Sequence, residues 1–171
     1  EIADGIYRLS TFVPDIAPNW ITVAALQRNP DQTSANPYIM STFSSRCGYT
    51  ASFCVSAPGT QIYSSIIEGT NADNLTTGYK NYNGTSMAAP HVSGVAALIR
   101  EASGDTLDPT EMMALIQATS RAIPGTGCSV GCGAGLIDAA AGVVAAVDPV
   151  LTISDVTAVE GNSGSQNYVF T

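Results

Sequence analysis

The stretch NGTSMAAPHVSGVAAL, residues 83–98, limits the possible folds more than any other part of the chain. From Ser86 to about Ala102 the spacing is helical, and Val92, Val95, Ala96, Leu98 and Ile99 leave few polar faces. Such a helix is expected to be buried nearly all round. Pro90 is expected near its first turn, where a backbone N–H lacks an intrahelical partner, and Gly104 can close it. Ser86 sits at its start, and His91, the only histidine in the chain, follows five residues later.

A serine and a histidine this close suggest a nucleophile and its general base, but helical geometry separates them. Five residues along a helix place two side chains about 140° apart and ~7.5 Å apart along the axis. A base must come within about 3 Å of the hydroxyl it deprotonates. His91 is therefore read as a buried structural residue packed behind Ser86. Known triad orders narrow the search further. Gly84-Thr85-Ser86-Met87-Ala88 lacks the last glycine of a G-x-S-x-G elbow, and no second histidine stands before or after it. If Ser86 reacts, its base comes from outside this chain.

The remaining segments outline the domain. The apolar, β-branched run NWITVAAL (19–26) reads as a buried strand, followed by the polar loop QRNPDQTSANP. Around Gly48 and the APG at 57–59, short strands and turns are expected, including a hairpin stapled by a disulfide. Residues 68–83 are polar and rich in Gly and Asn, hence a surface loop. Asp108, Pro109 and Glu111 mark a capped second helix with Met112, Leu115, Ile116 and Thr119 on one side; residues 135–147 make a third.

Composition excludes several functions. Fourteen acidic against six basic residues give a net charge of −8, which argues against a nucleic-acid partner. The acidity fits a solvated surface, with calcium sites as the sharper alternative. The longest apolar run, AAAGVVAAV (139–147), is half the length needed to span a bilayer, so no transmembrane segment is expected. Four cysteines form two close pairs, Cys47 with Cys54 and Cys128 with Cys132, without the C-x2-C knuckles or histidines of a zinc site. Two local disulfides fit best, each contributing about 2 kcal/mol, and imply an oxidising compartment. Buried free thiols are the alternative, and spacing leaves the connectivity open.

NGTSMAAPHVSGVAAL matches the serine motif GTSMAxPHVxG of the subtilisin-like serine peptidases at every defined position. WITVAAL, FSSRCG and CVSAPGTQIYSS resemble the segments that precede that motif, and GAGLIDAAAGV resembles the family's last helix, so the resemblance covers about residues 18–147. The cysteine-bearing form is similar to autotransporter-type subtilases of Gram-negative bacteria. The resemblance implies part of a three-layer α/β domain with a central parallel sheet (residues 1–148), in a secreted or cell-surface bacterial protein. It implies a serine endopeptidase acting on protein and peptide substrates, with no cofactor in catalysis and any calcium structural. Ser86 is the one catalytic residue that carries over. Thr85 and Gly84 would support the oxyanion site, and Met87 beside the nucleophile would be open to oxidation. The family's aspartate, histidine and oxyanion asparagine would lie before Glu1, since Asn19 is too close to the first strand for that role. On this reading the chain by itself is expected to be inactive and prone to aggregate through open strand edges.

After Pro149 the composition changes. LTISDVTAVEGNSGSQNYVF resembles the opening strands of a Calx-β repeat, an all-β sandwich module that residues 149–171 are too few to close. Asp155 and Glu160 are its candidate calcium ligands, and further extracellular repeats are expected beyond Thr171. The alternative function is an adhesion protein with an inactive peptidase-like domain and calcium-binding repeats.

Overall fold

The apolar run after Trp20 forms β1 (Thr22–Arg28) at the centre of a mixed sheet. The computed structural model describes residues 19–31, 33–34, 36–69, 74–124, 128 and 131–147. β2 (Tyr38–Met40) pairs antiparallel with the end of β1, Leu26 facing Met40. β3 (Cys54–Pro58) runs parallel to β1 on its other side, from Thr22 opposite Cys54 to Leu26 opposite Pro58. A parallel pair covered on both faces needs apolar side chains throughout. Accordingly Ala24, Ala25, Leu26, Val55, Ser56 and Ala57 are all buried. The far side of β3 is lined by a late segment: Ser56 N–H donates to Gly135 (2.7 Å) and Ile137 N–H donates back to Ser56 (3.0 Å).

Alternating side chains send the sheet's two faces into different clusters. Ala25, Val55 and Ala57 meet α1 (Thr85–Ala102) through Ala88, Val92, Val95 and Ile99, with Ile116 of α2 (Pro109–Thr119) completing the core. α3 (Ala139–Val147) lies close against α1, since a Cβ at Gly142 would stand 2.7 Å from the Ile99 Cδ1. On the other face Ala24 and Cys54 pack with Cys47. There the Cys47–Cys54 disulfide closes a 3-10 helix, Gly48–Phe53, whose Thr50 hydroxyl shares a 2.9 Å hydrogen bond with Thr22. A second disulfide joins Cys128 to Cys132.

Several expectations need correction. The first disulfide encloses a 3-10 helix rather than stapling a hairpin. The hairpin lies later, between β4 (Ile62–Glu68) and β5 (Thr76–Tyr82), so much of the supposed loop at 68–83 is a strand. β5 reads TTGYKNY, without the apolar alternation that marks a half-buried strand, and it is exposed at nearly every position. The third helix starts at Ala139, because Leu136 is held in bridges to Ser56 and Arg121. α1 is buried along one stripe only; Ala89, Ser93, Gly94, Ala97 and Leu98 are exposed. Pro90 is the sixth residue of α1, beyond the first turn, and removes the N–H that would have bonded the Ser86 carbonyl. Residues 149–171, with the expected β-module, lie outside the described residues.

Candidate active site

The hairpin strand β5 delivers the chain to the start of α1, where Gly84 is the N-cap and Ser86 the second helical residue. Ser86 is exposed and lines a cavity of about 350 Å³, together with Thr85, Ala89, Trp20 and Arg46. Met87 and Ala88 donate their N–H groups to the Gly84 carbonyl at 3.1 and 3.3 Å. The N–H groups of Thr85 and Ser86 come earlier in the turn, where no helical carbonyl lies one turn back. Hydroxyl and donor thus share the positive end of the helix, which favours negative charge developing beside them.

A short relay fixes this helix start to the sheet. Gly59 N–H donates to Leu26 at the end of β1 (2.9 Å), and Gly84 N–H donates to the Gly59 carbonyl (2.8 Å). Gln61 N–H donates to the Asn83 side chain at 2.6 Å. A Cβ on Gly59 would lie 2.6 Å from the Ala25 Cβ and 2.7 Å from the Gly84 carbonyl oxygen, so no side chain fits. A Cβ on Gly84 would meet Met87 Sδ at an ordinary 3.4 Å, and its backbone is extended. The position that tolerates no side chain at this joint is therefore Gly59, not Gly84. The APG turn is legible in the sequence but its partner is not; the one signal is a glycine directly after a strand.

His91 is exposed, not buried. It falls about 70° from the centre of the buried stripe on α1, at the margin of the packed surface. Its Nδ1 donates to the Met87 carbonyl of the same helix at 2.9 Å. Tied to its own backbone and on another side of α1, it cannot reach the Ser86 hydroxyl as a base.

Away from the site, Asp31 in the β1–β2 connection accepts hydrogen bonds from the Thr33 hydroxyl and N–H, which hold its carboxyl below the usual range. Asp155 and Glu160 lie outside the described residues. Among the described residues, no group of three or more metal-binding side chains converges, and no helix is long and apolar enough to cross a membrane.

Known proteins resemble this chain in both sequence and fold. An extracellular protease of Xanthomonas campestris is 47% identical over 94 residues, which cover 55% of this chain and 16% of that protein. An extracellular serine protease of Serratia marcescens is 39% identical over 102 residues, covering 52% of this chain and 9% of its own length. The chain thus corresponds to a minor part of these relatives. Among solved structures, a protease from Pseudoalteromonas arctica superposes with a TM-score of 0.60 at 34% identity, over 75% of this chain and 36% of that one. Fervidolysin from Fervidobacterium pennivorans, described as a keratinolytic enzyme related to subtilisin, gives 0.60 at 32%, over 79% of this chain and 20% of its own. The α/β fold is accordingly subtilisin-like. A match to the family description running from residue 7 to residue 135 completes the comparison: the chain belongs to the subtilase family.

Proposed function

We propose that Ser86 is the nucleophile of a serine endopeptidase acting on protein substrates. The observation that carries this reading is the placement of Ser86 at the exposed start of α1, on a cavity wall, with its own N–H beside the hydroxyl. In the reaction the hydroxyl oxygen attacks the peptide carbonyl while its proton passes to an imidazole. That imidazole is supplied from outside this chain, because His91 faces elsewhere. The Ser86 N–H would donate to the tetrahedral oxyanion, a type of contact that typically lowers the barrier by about 3 kcal/mol. Collapse expels the amine, and water then releases the acyl group from Ser86.

The relatives' names support an extracellular site of action, as do the two disulfides. We further propose that the cysteine-bearing chain belongs to the autotransporter-type subtilases. In this reading residues 149–171 open a Calx-β-like module in which Asp155 and Glu160 bind structural calcium, followed by further extracellular repeats.

Labelling with a fluorophosphonate tests the reaction. The full-length protein should form a single adduct that peptide mapping places on Ser86. Ser86→Ala should lose the label and lower casein hydrolysis at least about ten-thousand-fold. Full hydrolysis by the variant would overturn the proposal by placing the reaction on another group, and a wild-type protein that stays unlabelled and leaves casein intact would overturn it in favour of an inactive, adhesive role.

A further inference from the structure

The hairpin that leads into Ser86 has one face the proposed chemistry does not use. Its register sets Tyr63 opposite Asn81, Ser65 opposite Tyr79 and Ile67 opposite Thr77, so these six residues share one face. Tyr63 and Tyr79 stack diagonally across it, with ring centroids 5.5 Å apart and planes 23° from parallel. Tyr63, Ile67 and Tyr79 are 66%, 70% and 65% exposed. Ile62 and Ile66 point to the other face and are half-buried, and there Lys80 pairs with Glu68. The hairpin's apolar side chains are thus divided between a partly covered face and an open aromatic one. An ordered pair of aromatic rings with an isoleucine beside them leaves an apolar face open to a partner.

Its position indicates what. β5 ends at Tyr82, and Ser86 follows four residues later. Tyr79 lies seven residues before Ser86, so at most about 25 Å of chain separates them. An extended peptide advances ~3.3 Å per residue, so a polypeptide cleaved at Ser86 covers that distance with about seven residues. The face has no charged member, while the hairpin's Lys80 and Glu68 neutralise each other on the opposite side. It suits apolar and aromatic side chains of an unfolded chain rather than a charged ligand.

We infer that the Tyr63–Tyr79 face of the β4–β5 hairpin is an extended substrate subsite, which holds an apolar segment of the polypeptide several residues from the bond cleaved at Ser86. This rests on the endopeptidase reading and adds a preference for long, unfolded substrates. The test compares full-length wild-type protein with Tyr63→Ser/Tyr79→Ser, using a chromogenic tetrapeptide and a twenty-residue apolar peptide. The double variant should lower kcat/KM for the long peptide about ten-fold through KM, as expected for the loss of two aromatic contacts, and leave the tetrapeptide unchanged. Tyr79→Phe, which keeps the ring, should retain the long-peptide rate. Equal loss on both substrates, or loss on neither, overturns the inference. So does conversion of a wild-type dimer to monomer by the double variant without a change in KM, which would assign the face to a second copy.

Binding of the fluorescein-labelled long peptide to Ser86→Ala separates this inference from the catalytic reading. Weaker binding when the tyrosines are also replaced supports the subsite even if hydrolysis proves to depend on another group. Unchanged binding refutes it even where Ser86 is confirmed as the nucleophile.

Discussion

Gly59 and Gly84 stand backbone to backbone at the joint between the sheet and the candidate nucleophile, and only one of them lacks room for a side chain. A methyl group on Gly59 would overlap both Ala25 and the Gly84 carbonyl, and relief requires moving the start of α1 away from β1. Gly59→Ala should therefore destabilise the full-length protein by about 1–3 kcal/mol, the usual cost of overpacking. It should also slow fluorophosphonate labelling of Ser86. Gly84→Ala meets only ordinary contacts and should shift the urea midpoint much less. Equal midpoints for the two variants would contradict this account of the joint.

Among the elements, α2 shows how local chemistry sets a helix start. Asp108 accepts from the Glu111 N–H at 2.8 Å, and the Glu111 carboxylate accepts from the Asp108 N–H at 2.9 Å. Asp108→Ala should cost about 1 kcal/mol in urea unfolding and fray the first turn of α2, as read by amide exchange. That cap was legible because all its partners lie within four residues of sequence. β1 and the start of α1 were legible for a similar reason, through an apolar run and a dense motif. β5 was not, because both of its faces are polar or aromatic and its pairing with β4 is set by the partner strand rather than by burial. His91 misled for a related reason: a histidine inside an apolar helix looks buried, yet which side of α1 is covered depends on elements distant in sequence. The Gly59 contact was equally hidden, since it joins residues 25 positions apart through backbone atoms alone.

For the whole molecule, the two disulfides tie the segments that border the sheet. Cys47–Cys54 holds the 3-10 helix beneath β1, against Thr22, and forms part of the wall of the Ser86 cavity. Replacing both cysteines by alanine should lower unfolding free energy by about 2 kcal/mol in chemical denaturation and loosen that wall. An unchanged midpoint would mean that packing of Ala24 and Thr50 suffices without the crosslink. The seam along β3 has a consequence of a different kind. Ser56, central in β3, donates its hydroxyl to Cys132, 76 residues onward, and its backbone is paired by the stretch that follows. During synthesis this strand must wait, its outer edge bare, until the segment at 132–137 leaves the ribosome. A shortened gene that stops before Ile137 would make that wait permanent.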